Sequence, residues 1–170
     1  MRRALAAFVF LLPAVVMAGG NGTVLVKGHA FTAEVAVTEA ERAQGLMGRH
    51  ELANDRCMIF LYNEDGPHPI WMKNCFIALD VAWLDKDGKI VELVPDVPPP
   101  SPIQIYASDA DYPNYGGKVD SRHFIEFPQG TFKRLGLKLG DRIGWDLRLD
   151  NGVIVKGGAT EPEKSPKRKK

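Results

Sequence analysis

Short apolar runs, each closed by Gly, Pro, Asn or Asp, recur along nearly the whole chain, and this punctuation constrains the fold more than any other feature. Thr23 to Val26 and Phe31 to Val37 are β-branched or alternating and are split by Lys27-Gly28-His29-Ala30, the pattern of a hairpin. Met58 to Phe60, Trp71 to Phe76 and Ile77 to Leu84 read as three further strands, and Asp85-Lys86-Asp87-Gly88 turns the last of them into Ile90 to Val94. Arg122 to Phe127 is a strand ended by Pro128. Arg142 to Leu149 leads through Asp150-Asn151-Gly152, an Asn-Gly turn, into a final strand near Val153 to Val155. Helix signals are brief. Thr38-Glu39-Ala40-Glu41 is a capping box opening a short helix that Gly45 or Gly48 ends, and Gly130 to Leu135 makes about one turn stopped by Gly136. From Pro95 to Tyr115 the residues change to Pro, Asp, Ser and Tyr, which reads as a long loop. The expected fold is mainly β: a compact barrel- or sandwich-like single domain with one or two short helices. At 170 residues and 45% hydrophobic content there is apolar mass for one core.

The two ends differ from this body. Met1-Arg2-Arg3 followed by an Ala/Leu/Phe/Val run to Val16-Met17-Ala18 has the form of a secretory signal peptide, with a mature chain starting near Gly19. An N-terminal membrane anchor is the competing reading, but the run is short for a bilayer span. Export predicts a periplasmic or extracellular protein with no transmembrane segment after cleavage. The last residues, 159–170, are charged, contain Pro and lack large apolar side chains, so they are expected to form a disordered basic tail. Such a tail meets acidic lipid or polymer, or is simply a solvated end. Between 19 and 160 there are 15 Lys and Arg against 19 Asp and Glu, a net charge of −4. Nucleic-acid binding is therefore not expected, because it requires a basic face that displaces counterions.

Export places Cys57 and Cys75 where a disulfide persists. If the runs on either side of Asn63 to Pro69 form an antiparallel hairpin centred on Gly66, Cys57 faces Cys75. Their Cα atoms would then lie about 4.5 Å apart, near the short end of disulfide geometry, and the bridge would contribute about 3 kcal/mol. Two free thiols acting as small buried hydrophobes are the alternative. Neither Cys has the His neighbours of a metal site.

An ordered series of motifs extends the reading: Glu41-Arg42-Ala43-Gln44-Gly45-Leu46-Met47-Gly48-Arg49, Met58-Ile59-Phe60, Trp71-Met72-Lys73-Asn74, Leu79-Asp80-Val81-Ala82-Trp83-Leu84-Asp85, then Gly130 with Leu135 to Arg142. Together, over roughly Thr23 to Trp145, they resemble the domain-of-unknown-function 192 family. The resemblance implies a compact, mostly β domain, often exported, and brings no established reaction. Relatives more usually carry a small residue and a Thr at the positions of Cys57 and Cys75, and the paired change fits a local disulfide. The Pro-rich loop, where relatives often carry cysteines, has none here.

Asp80 lies in a run that is apolar on both strand faces, and Lys73 falls among apolar neighbours in the proposed hairpin. Buried charges must be paired, so the two are expected to meet, either as an ion pair fixing register or as part of a ligand site. In the binding reading Arg42, Arg49, Lys73 and Asn74 present donors, Asp80 orients one of them, and Trp71 with Met72 or Met47 forms an apolar wall. Such a site suits a small polar, anionic or sugar-like molecule.

Two other functions compete. A hydrolase would use Asp80 or Glu51 as general base. A structural or protein-interaction module would use the loop at 95–115, with Tyr106, Tyr112 and Tyr115. Catalysis has less support than binding: Ser101, Ser108 and Ser121 lie in no nucleophile elbow, and no catalytic residue is assigned. His29, His50, His68 and His123 are not at metal-ligand spacing, so no metal and no cofactor is expected.

Overall fold

The computed structural model describes residues 19–158. The signal segment and the basic tail expected from the sequence lie outside the described residues. Eight strands form one sheet: β1 (Gly20–Val26), β2 (His29–Ala36), β3 (Arg56–Gly66), β4 (Leu79–Leu84), β5 (Ile90–Val97), β6 (Ser121–Pro128), β7 (Ile143–Leu149) and β8 (Ile154–Gly157). Their order across the sheet is β5-β4-β6-β3-β2-β1-β7-β8. Two short helices interrupt the strands, α1 (Glu39–Gln44) and α2 (Thr131–Leu135).

Local chemistry accounts for the turns. Lys27 and Gly28 both have positive φ, 46° and 80°, as a tight hairpin between right-twisted strands requires. The Asp85 carboxylate accepts the N–H groups of Asp87 and Lys89, each at 2.9 Å, and so sets the β4–β5 turn. Glu41 N–H donates to Thr38 Oγ1 while Glu41 Oε2 accepts from Thr38 N–H, completing the capping box of α1. Because β2 and β3 pair in parallel, a crossover must join them, and α1 lies within it.

The central strands β3, β4 and β6 are buried on both faces, which explains the doubly apolar run in β4, whereas β1, β2 and β7 turn one face to solvent. Cys57, Ile59 and Leu61 of β3, Ala82 and Leu84 of β4, and Ile125 and Phe127 of β6 join Val24, Phe31, Trp145 and Leu147 in one core. Met58, Phe60, Val81, Trp83 and Phe124 point the other way and pack with Leu46, Ile70, Met72 and Cys75 in a second. The β4–β5 turn reaches the start of β7, where Ile90 N–H donates to Asp141 O at 2.8 Å and Ile143 N–H to Gly88 O at 2.9 Å. No ladder follows from these contacts, so the sheet remains open and not a closed barrel.

Two expectations need correction. The proposed hairpin between Met58 to Tyr62 and Trp71 to Phe76 is absent. Instead β3 runs on to Gly66 and pairs with β2 and β6, so neither of its edges is free for the following segment. Pro67 and Pro69 remove ladder donors, and of residues 67–76 only Ile70 bridges, to Tyr115. Consequently Cys57 and Cys75 are unpaired, buried thiols in different cores on opposite faces of the sheet, and the expected disulfide is not formed.

Candidate functional site

Between α1 and the segment from Pro69 to Cys75 lies a cavity of about 410 Å³. Its floor is the face of β3 and β6 that carries Phe60, Tyr62, Phe124 and Glu126. Leu46, Met47, Met72 and Leu79 add apolar wall, and Glu39, Arg42 and Lys73 bring charge.

Arg42, on the last turn of α1, is fixed from beneath. Its Nη1 donates to Val37 O and, at 3.1 Å, to Leu61 O, while the guanidinium carbon sits 4.4 Å from the centroid of the Tyr62 ring. A guanidinium has five N–H donors, and the three on Nε and Nη2 lie beyond these contacts. The other face of this aromatic platform is His68, whose ring stacks on Tyr62 at 3.7 Å. Burial depresses the His68 pKa and raises that of the Tyr62 hydroxyl, so both are neutral at pH 7.

Lys73 Nζ pairs with Asp109 Oδ1 at 2.6 Å and lies 5.2 Å from the Trp71 ring centroid. Trp71 in turn meets Tyr112 edge to face, at 6.0 Å between centroids. One wall of the cavity is therefore strapped to the loop that carries Asp109 and Tyr112. Asp109 is exposed and Lys73 only half-buried, so the pair's contribution to stability is small.

Glu126 is the unusual group. It is 6% exposed, flanked across the sheet by Met58 and Val81, and its Oε2 has no hydrogen-bond partner among the described residues. Burial pushes its pKa up to about 8, which leaves it a neutral carboxyl at pH 7. Cys75 lines the same cavity, donates weakly to Ile77 O at 3.7 Å, and is pushed by burial up to about 11, so it is an unreactive thiol.

Of the residues singled out in the sequence, the cavity gathers Arg42, Trp71 and Lys73, with Met47 and Met72. It does not gather Arg49, Asn74 or Asp80. Arg49 forms an ion pair with Glu34 of β2, and the exposed Asn74 accepts from Gly48 N–H through its backbone carbonyl. The expected Lys73–Asp80 pair does not exist. Asp80 is 1% exposed, and its oxygens accept the N–H groups of Asp96 at 3.0 Å and Phe132 at 2.8 Å. Backbone donors satisfy the buried carboxylate, so it needs no lysine. Glu51, the other proposed base, is exposed and outside the cavity. Glu126 escaped notice although the same signal marks it: one carboxylate within Phe124-Ile125-Glu126-Phe127, an otherwise apolar strand.

Residues 22–145 match the DUF192 family, Uncharacterized ACR. The chain belongs to this family. Two solved structures resemble this DUF192 domain, each at 30% identity. One is a Sinorhizobium meliloti protein described as a "putative transcription regulator", with a TM-score of 0.66, covering 76% of this chain and 96% of its own. The other is a protein of unknown function from Novosphingobium aromaticivorans, with a TM-score of 0.61, covering 74% and 84%. No curated protein matches the chain.

Proposed function

We propose that this DUF192 domain is a binding module for a small anionic organic molecule, held in the cavity between α1 and the Pro69 to Cys75 segment. The observation that carries this reading is the cavity itself: about 410 Å³, with apolar wall, and with Arg42 and Lys73 on its lining against one acidic side chain, Glu39, besides the buried Glu126. Ligand sites of this size are mostly apolar with a few placed polar groups. Arg42 is held by two backbone carbonyls and a tyrosine ring, so little side-chain entropy is lost when it grips an anion. Flat or saturated rings suit the neighbouring Trp71 and Phe60.

Binding is favoured over hydrolysis. A general base must reach a substrate proton, and Asp80 is buried with its oxygens already engaged by backbone N–H groups. DNA regulation, suggested only by the description of the Sinorhizobium meliloti relative, draws no support from charge, since acids outnumber bases by 19 to 15 between 19 and 160. The N-terminal charge and apolar pattern supports action outside the cytoplasm, and N-terminal sequencing of the mature protein, expected to begin near Gly19, tests it.

Calorimetry with a panel of small aromatic and aliphatic carboxylates tests the binding reading. Arg42→Ala and Lys73→Ala should each weaken binding by about ten-fold, as loss of a charge-assisted hydrogen bond does. Unchanged affinity in both variants would remove the ligand from this cavity.

A further inference from the structure

Glu126 identifies the other end of the ligand, on the reading that the cavity is an anion-binding site. A carboxyl group without a partner in an apolar recess costs stability, and a fold that needed only a packed floor would place a leucine or methionine there. Of the residues that share the cavity lining with it, Phe60, Phe124, Met72, Leu79 and Cys75 supply no strong donor or full charge, and the Tyr62 hydroxyl, whose ionisation Glu126 influences, does not satisfy its Oε2. Met58 and Val81 close the flanks along the sheet. Neither cation bonds the carboxyl: Arg42 Nη1 donates to Val37 O and Leu61 O with its remaining donors directed elsewhere than Glu126 Oε2, and Lys73 Nζ pairs with Asp109. Glu126 thus lines the cavity with a carboxyl whose buried Oε2 has no hydrogen-bond partner among the described residues.

We propose that Glu126 pairs with an uncharged hydroxyl or amide carried at the apolar end of a ligand whose anionic group meets Arg42 and Lys73. The chemistry of the recess selects the uncharged partner. An ammonium group would have to shed its water and force Glu126 to ionise among aromatic and thioether side chains, a double desolvation. A hydroxyl or primary amide both gives and accepts a hydrogen bond, and a neutral carboxyl does the same, so the pair closes without burying charge. Burial alone governs the ionisation of Glu126, which agrees with a group kept protonated at neutral pH. The ligand class is therefore a small hydroxylated or amidated organic acid with a ring or short apolar body.

Three matched probes test this on the full chain: 4-hydroxyphenylacetate, phenylacetate and 4-(aminomethyl)phenylacetate, each titrated calorimetrically at pH 7. The hydroxyl compound should bind about ten-fold or more tighter than phenylacetate, because a site built for a hydrogen bond rejects the analogue lacking it. The preference should persist in Glu126→Gln and vanish in Glu126→Leu. The unliganded Glu126→Leu protein should also melt at a higher temperature than the wild type, and a lower melting temperature would make the carboxyl structural and overturn the assignment. Equal binding of the hydroxyl and phenyl probes to the wild type, or tighter binding of the amine with proton release, overturns it too while leaving the anion site intact. Failure of all three probes to bind overturns both this inference and the function on which it rests. Should Glu126→Leu not fold, the wild-type ranking and Glu126→Gln decide.

Discussion

Two buried carboxyl groups sit on neighbouring strands of this DUF192 sheet and are treated in opposite ways. Asp80 of β4 accepts one N–H from the β5 edge and another from the first turn of α2, so it ties two elements together at a point where the β4–β5 register slips. Asp80→Ala strands both N–H groups in a dry interior and should cost about 2–4 kcal/mol in urea denaturation. A loss below about 0.5 kcal/mol would mean that water replaces the carboxylate, contrary to the geometry. Glu126 of β6 has no such donors and faces a cavity instead, which is why one residue is read as scaffold and the other as recognition. The thiols give a third residue-level test. Cys57 is fully buried and Cys75 nearly so, on different faces. Non-reducing mass analysis should find two free thiols, and a thiol reagent should modify them only after denaturant is added; a native intramolecular bridge would contradict the strand placement.

At the scale of elements, the segment from Pro69 to Cys75 is not a strand, yet it forms one side of the site. It is held by a two-way backbone bridge between Ile70 and Tyr115, by Trp83 Nε1 donating to His68 O at 2.8 Å, and by the Lys73–Asp109 pair. Gly116 and Gly117, with φ of 59° and 65°, let the returning chain lie against Trp83 and Pro69. A Cβ at position 116 would come within 2.1 Å of the Trp83 ring. Gly116→Ala should therefore destabilise by about 1–3 kcal/mol, through overpacking and a left-handed backbone that alanine resists. It should also weaken ligand binding, because the wall of the cavity shifts with it. Asp109→Asn acts in the other direction. Freed from its exposed partner, Lys73 should bind phenylacetate a few-fold more tightly, in line with an ion pair worth about 1 kcal/mol or less. Unchanged affinity would mean that Lys73 does not reach the anion.

For the whole molecule, burying both faces of the central strands puts titratable groups of β6 in the interior, and their shifts oppose one another. Burial pulls His123 down to about 4, so the folded state holds it neutral. The stability it contributes is present above its unfolded value of 6.5 and is lost as pH falls through 4. Glu126 is raised from 4.5 to about 8, so its contribution is full below 4.5 and is lost as pH rises through 8. Between these unfolded values the two slopes largely cancel. Above pH 6.5 only the Glu126 slope remains, at most about 1.4 kcal/mol per pH unit. Urea midpoints should accordingly stay level from about pH 5 to 6.5 and fall toward pH 8, and in Glu126→Gln the fall should disappear. A wild-type plateau that extends to pH 8 would show that Glu126 is solvated or paired.

Much was legible in the chain itself, because it depended on neighbours in sequence. Turn residues located the β1–β2, β4–β5 and β7–β8 hairpins, the Thr38 capping box announced α1, and Gly136 ended α2, since positive φ and a missing cap donor are local demands. The doubly apolar run at β4 already implied a strand covered on both sides. Arg42, Trp71 and Lys73 were also legible as candidates, being donors and an indole set beside apolar runs. What pairs with what was not written there. Edge selection depends on every strand at once: β3 took β2 and β6, and this choice alone separated Cys57 from Cys75, removed the partner expected for Lys73, and handed Asp80 to backbone donors that no spacing rule brings near it. The cavity, and the carboxyl left unpaired on its floor, exist only once the crossover through α1 and the Pro69 to Cys75 segment have closed over the face of β3 and β6.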